Sequence, residues 1–179
     1  MKSQKRDVGN MAKAYIVLQN GQVFEGEGFG AAADAVGELV FTTGMAGYVE
    51  TLTDPSYCGQ IVMQTFPLIG NYGWIPEDAE SGACAARGYV VREWCEAPSN
   101  FRSAGTIDAY LREQGIPGVS GVNTRALTQI IREHGVMNAA ITSDPASVVL
   151  ADLSAYTVKD ADRATLRKIQ NALPFCAVC

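Results

Sequence analysis

The sequence predicts an α/β domain built on a mixed sheet. Two observations carry that reading. Up to about residue 94 the chain runs as short apolar β-type segments separated by turn formers. From Thr106 onward the apolar spacing changes to i, i+3, i+4, and helical segments alternate with short strands. With 47% hydrophobic and 18% charged residues in 179, there is enough apolar material for a packed core.

The elements follow in order. Tyr15–Gln19 and Gln22–Glu27 are strand-like arms around Asn20-Gly21. That dipeptide is the signature of a type I′ hairpin turn, in which both central residues take positive φ. The second arm alternates imperfectly, because Phe24 directly follows Val23. Gly26-Glu-Gly28-Phe-Gly30 reads as a turn or bulge after that arm; no helix signal follows it, so it is not a phosphate cradle. Gly37–Thr43 is a third strand, Gly59–Phe66 a fourth ended by Pro67, and Arg87–Trp94 a fifth.

Thr106 is placed to cap a helix with Ile107, Tyr110 and Leu111 on its apolar face and Gly115 as its stop. Ile116–Val122 is a short buried strand. Asn123 or Thr124 caps a second helix, Arg125–His134, whose apolar face is Leu127, Ile130 and Ile131, and Gly135 ends it. Met137–Thr142 is one more strand. The tail from Ala146 contains a helical stretch, Asp160–Leu173. The basic, polar start is expected to be a flexible leader, residues 1–12; it lacks the apolar centre of a secretory signal.

Composition excludes several function classes. There are 14 Lys and Arg against 19 Asp and Glu, a net charge of −5, which removes a general electrostatic case for nucleic acid or an anionic membrane. No segment approaches the roughly 18 to 20 apolar residues that cross a bilayer. Five cysteines form an odd set without disulfide-scaffold density and read as reduced thiols of a cytoplasmic protein.

Candidate catalytic groups are few. The single histidine, His134, rules out any mechanism needing two from this chain and reads as a helix C-terminal residue favoured by the macrodipole. Gly82-Ala-Cys84-Ala-Ala86 superficially resembles a G-x-C-x-G nucleophile elbow but lacks the last glycine and a following His-x-Glu. Cys58 likewise has no base to activate it. Cys176-Ala-Val-Cys179 lacks the two further ligands a structural zinc needs. No catalytic residue, metal ligand or cofactor site is therefore assigned.

The most distinctive stretch is Phe41 to Gly73, dense in small residues, hydroxyls and turn formers. Within it Thr53-Asp54-Pro55-Ser56 reads as a turn in which Asp54 bonds backbone amides ahead of it, leaving Ser56 on a loop tip with its hydroxyl available.

The run GELVFTTGMAGYVETLTDPSYCGQIVMQTFPLIGNYG resembles the N-terminal domain of the small, glutaminase subunit of carbamoyl-phosphate synthase. Three further pieces agree in order: AYIVLQNGQVFEGEGFGA, Ser99-Asn100-Phe101-Arg102, and Gly121–Glu133, with Asn123 where the family usually has Asp. The resemblance spans roughly residues 13 to 145, leaving 146–179 as a divergent tail. It implies a swivelling β/β/α three-layer domain. It implies contact with a large subunit, which makes carbamoyl phosphate using ATP and Mg, and a role in arginine and pyrimidine synthesis. The family's second domain, a class I amidotransferase with a Cys-His-Glu triad, is expected to be absent here. Through the serine of T-D-P-S-Y, the resemblance further implies that Ser56 helps hold glutamine when that second domain is present. The alternative reading is a truncated or repurposed binding module with no synthetase role.

Overall fold

The computed structural model describes residues 12–158. Residues 1–11 of the expected leader, the helical stretch Asp160–Leu173 and the terminal Cys-x-x-Cys lie outside the described residues.

Seven strands close into a barrel in the order β1-β2-β8-β6-β4-β3-β9. They are β1 (Lys13–Leu18), β2 (Val23–Gly30), β3 (Ala35–Thr42), β4 (Gln60–Gln64), β6 (Gly88–Val90), β8 (Pro117–Ser120) and β9 (Met137–Thr142). A two-stranded parallel sheet, β5 (Leu68–Ile69) with β7 (Glu93–Trp94), stands beside it. The helices are α1 (Tyr48–Thr53), α2 (Ile107–Gln114), α3 (Thr124–His134) and α4 (Leu150–Ala155). The barrel is mixed: β3-β4, β4-β6 and β6-β8 are parallel, and the remaining pairs antiparallel. The α/β class and mixed sheet are therefore as expected. The three-layer arrangement is corrected, because β1 pairs with both β2 and β9 and the sheet closes on itself.

Strand alternation sorts the core into an inside and an outside. Ile16 and Leu18 of β1, Leu39 of β3, Ile61 and Met63 of β4, Val90 of β6, Val119 of β8 and Ala139 and Ile141 of β9 share the interior cluster. Leu127 and Ile131 of α3 join that cluster, so α3 packs its apolar stripe onto the barrel's contents. The intervening residues point outward. Val62 and Tyr89 meet α1 and α2 in a second cluster, while Val17 and Ala140 meet Leu153 of α4 in a third.

The helix caps are the expected ones. Thr106 Oγ1 accepts from the Ala109 N–H at 3.1 Å, and Gly115 ends α2 with φ 72°. At α3, Asn123 rather than Thr124 is the cap: its Oδ1 accepts from the Ala126 N–H at 3.1 Å.

Three local expectations are corrected. In the opening hairpin only Gly21 has positive φ, at 85°, and its N–H donates to the Leu18 carbonyl at 2.8 Å. This is a four-residue turn, Leu18 to Gly21, closed by a left-handed glycine, not a type I′ pair. Asn20 instead uses its side chain, Oδ1 accepting from the Gln22 N–H at 3.0 Å. Gly26 to Gly30 is not a turn but the second half of β2. A Cβ on Gly26 would stand 2.3 Å from the Ser120 carbonyl oxygen, so glycine permits the close approach of β8. Arg87–Trp94 is not one strand: it leaves the barrel after Val90 and resumes as β7 against β5.

Leu39 is fully buried at the barrel interior, whereas Val23 is half exposed on the hairpin. Leu39→Ala is expected to cost about 2–5 kcal/mol in urea unfolding, and Val23→Ala no more than about 0.5 kcal/mol.

Candidate functional site

The turn that carries Ser56 is built locally. Asp54 Oδ1 accepts from the Ser56 N–H at 2.8 Å, and Pro55, with its pre-set φ, opens the single 3-10 turn Pro55–Tyr57. Ser56 itself is exposed. The turn hangs from the end of α1, whose last residue, Thr53, is fully buried. Thr53 Oγ1 donates to the Val49 carbonyl at 2.8 Å and accepts from the Glu80 N–H at 2.9 Å. The Ser81 hydroxyl donates to the Thr53 carbonyl at 2.6 Å, and the Ala85 N–H donates to the Leu52 carbonyl at 2.8 Å. The segment from Glu80 to Ala85 thus fixes the base of the Ser56 turn.

Helix α1 lies inside the Phe41–Gly73 stretch, whose composition carries no helix signal. Only six residues long, it begins at Gly47, which offers no capping side chain. Its cap comes from elsewhere: the Tyr72 hydroxyl oxygen accepts from the Gly47 N–H at 2.9 Å and the Tyr48 N–H at 3.2 Å. The exchange is reciprocal. The Tyr48 hydroxyl donates to the Gly73 carbonyl at 2.8 Å and accepts from the Tyr72 N–H at 3.2 Å, and the two rings stack at 4.0 Å. Burial raises both phenol pKa values, so both hydroxyls stay protonated and able to donate. The Pro67–Gly73 motif is therefore architectural for the Ser56 loop.

The Ser99–Arg102 motif joins the same assembly. The Ser99 N–H donates to the Asn71 carbonyl at 3.0 Å. Asn100 Oδ1 accepts from the Arg102 N–H at 2.9 Å, and Arg102 pairs with Asp78 at 2.5 Å. This geometry turns Phe101 fully outward, 98% exposed, while Met45 ahead of α1 is 75% exposed. Two of the four pieces, the Gly37–Gly73 run and Ser99–Arg102, are thereby tied into one set of loops. The opening hairpin and the piece at α3 serve the barrel instead.

The rejected nucleophiles behave as their surroundings dictate. The Cys84 thiol is buried and pushed up to about 12 by loss of hydration. His134 is exposed at the end of α3, with Nδ1 3.1 Å from the Ile130 carbonyl oxygen. Among the described residues no cluster of His, Cys, Asp and Glu could hold a metal ion, and no helix is long and apolar enough to cross a membrane.

Comparison with known proteins decides the lineage. Residues 16–141 match the family model of the carbamoyl-phosphate synthase small chain, CPSase domain. The chain belongs to this family. The carbamoyl phosphate synthase small chain of Streptococcus agalactiae is 52% identical over 136 residues, 76% of this chain and 38% of that protein. That of Syntrophotalea carbinolica is 51% identical over 140 residues, 76% of this chain and 37% of that one. That of Clostridium perfringens is 49% identical over 151 residues, 83% of this chain and 43% of that one. The chain thus spans about two fifths of the length of the curated relatives it matches. Among solved structures, an aminopeptidase from Aneurinibacillus sp. strain AM-1 superposes with a TM-score of 0.41 at 16% identity, over 72% of this chain and 30% of that one, too distant a likeness to argue from.

Two outcomes follow for this site. Tyr72→Phe strips the acceptor from two amides and the cap from α1; it should cost about 1–3 kcal/mol and speed hydrogen exchange at Gly47 and Tyr48 ahead of the barrel amides. Cys84 binds its proton more tightly folded than unfolded, where the ordinary value is 9.0. Its contribution is therefore complete below pH 9 and lost as pH rises toward about 12. Native chain should resist thiol alkylation at Cys84 at neutral pH, and Cys84→Ala should flatten the alkaline fall of the urea midpoint.

Proposed function

We propose that this chain acts as the N-terminal domain of the small subunit of a glutamine-hydrolysing carbamoyl-phosphate synthase, in the cytoplasm, serving arginine and pyrimidine synthesis. In this reading it docks on the large subunit, which uses ATP and Mg, and supports a glutaminase site whose Cys-His-Glu triad belongs to the amidotransferase domain. Ser56 is the residue of this chain that touches substrate, its hydroxyl bonding a polar group of glutamine at the boundary between the two domains.

The observation that carries the proposal is the joining of two family motifs, through three of their loops, into one assembly. The Thr53–Tyr57 turn, the Pro67–Gly73 loop and the Ser99–Arg102 loop are separate in sequence yet linked by hydrogen bonds that leave Ser56, Met45 and Phe101 exposed. Ser56 suits its part physically. It is a short side chain on a turn held by Asp54 from above and by Thr53 from below, so little motion is lost when a ligand binds.

The test is glutamine hydrolysis, assayed for this chain alone and for the domain joined to its amidotransferase partner. The chain alone should show none above background, since Cys84 is buried and protonated and its hydrogen bonds among the described residues are to the Gln114 side chain and the Ala86 carbonyl, neither of them a base. In the joined protein, Ser56→Ala should raise KM for glutamine about tenfold, the value of one hydrogen bond to a polar ligand, with a smaller change in kcat. Saturable hydrolysis by the chain alone, or an unchanged KM in the variant, would overturn the assignment. Failure of the chain to co-purify with the large subunit would favour a repurposed binding module.

A further inference from the structure

A cavity of about 620 Å³ opens where β2 passes into β3, walled by α2, the start of β1 and the end of β9. Its floor is aromatic. Phe29, 5% exposed, and the half-buried Trp94 of β7 both line it, their rings stacked at 5.5 Å and 12°. Strand β8 makes the seat for that stack: a Cβ on Gly118 would stand 2.5 Å from the Phe29 ring. The loop Ala31-Ala-Ala33 on the rim carries only methyl side chains, so the opening stays wide.

The charged groups on its walls are Lys13, Asp34, Glu96, Asp108 and Arg112. Asp108 is satisfied within the fold: it accepts from the Gly30 N–H at 2.7 Å and from Arg112 Nη2 at 2.7 and 3.0 Å. Lys13 pairs with Glu25 at 2.7 Å. That leaves Asp34 and Glu96, both exposed, and neither forms an ion pair among the described residues. They come from distant segments, one just ahead of β3 and one just after β7, and line the same cavity. An aromatic floor beside unpaired carboxylates attracts a cation, because a ring face is the negative part of its quadrupole and the carboxylates add full negative charge. An anion meets both as repulsion. The volume is that of a site for a drug-sized molecule, so a bare metal ion would leave most of it unfilled.

We propose that this cavity binds a small organic cation with a flat apolar body, an arylamidinium or arylalkylammonium compound. The body packs on the Trp94–Phe29 stack, and the cationic head meets Asp34 and Glu96. The Asp108 carboxylate, bonded to both Gly30 and Arg112, holds the α2 wall against the end of β2, so the site is formed before the ligand arrives. The cavity shares no lining residue with the Thr53–Tyr57 turn, the Pro67–Gly73 loop or the Ser99–Arg102 loop, so cation binding stands or falls apart from the role of Ser56.

Titration of the full chain with benzamidinium, followed by proton–nitrogen NMR, tests this. Amides of Gly28 to Asp34 and the Trp94 indole N–H should shift together and saturate with one Kd. The Trp74 indole, whose ring stacks on Tyr110 and lines no part of the cavity, should stay in place. Benzoate, of the same shape and opposite charge, should bind at least about tenfold more weakly, and added salt should weaken benzamidinium. The exposed double variant Asp34→Asn, Glu96→Gln should raise the benzamidinium Kd about tenfold, while Glu93→Gln, a neutralisation outside the cavity, should leave it within about twofold. Trp94→Leu, which keeps apolar bulk and removes the ring face, should weaken benzamidinium and spare the shifts of the barrel amides. Shifts that fail to saturate, or that spread over the surface without preference for this cavity, would overturn the proposal. So would benzoate binding as tightly as benzamidinium, or an unchanged Kd in the double variant.

Discussion

Strand β1 is hydrogen-bonded along both of its edges, to β2 through a tight hairpin and to β9 from the far end of the domain. Much else in the structure depends on that double pairing. It closes the sheet, and closure makes one face of every strand interior and the other exterior. Single strands can therefore serve two cores: Ile61 and Met63 of β4 fill the barrel while Val62 between them supports the helical side. The ladder to β9 also brings the chain's last strand beside its first, so most of the described chain is enclosed in one cooperative unit. Joining such distant segments costs loop-closure entropy that only the buried apolar interior repays.

From that scaffold the loops acquire their precision. The outer face bearing Val62, Tyr89 and Val91 gives α1 and α2 a surface to press against, and the loops between β3 and β7 are then tied to one another rather than to solvent. Ser56 is positioned by three layers of support: Asp54 within its own turn, Thr53 and Ser81 beneath it, and the paired tyrosines at the opposite end of α1. Their work is positional, as suits a domain whose chemistry, in the proposed reading, is done by another.

The parts of the fold legible in the sequence are those governed by local rules. Helices α2 and α3 showed their periodicity and caps because Thr106, Gly115 and Asn123 satisfy helix ends without outside help. Strands β1, β3, β4, β8 and β9 were legible from their apolar runs. What escaped depended on partners far away in sequence. Helix α1 has less than two turns and borrows its cap from Tyr72, so no local signal marks it. The glycines of β2 looked like a turn because their purpose, admitting the backbone of β8, is visible only once β8 is in place. Barrel closure escaped for the same reason: nothing local to β1 says that β9 will return to it. At the site, the Asp54–Ser56 turn was legible, whereas the bonds joining the start of α1 to the Pro67 loop, and that loop to Ser99, were not.

The paired tyrosines have a consequence for how this family of sequences can change. Each hydroxyl serves the other residue's stretch of backbone: Tyr72 holds the start of α1, and Tyr48 holds the loop that contains Tyr72. Loss of either one strands polar groups that its partner's loop has already removed from water. The two positions thus form a single heritable unit. A lineage can drift at one only by re-solving the other at the same time, and the loop that carries Ser56 inherits the constraint without contributing a residue to it.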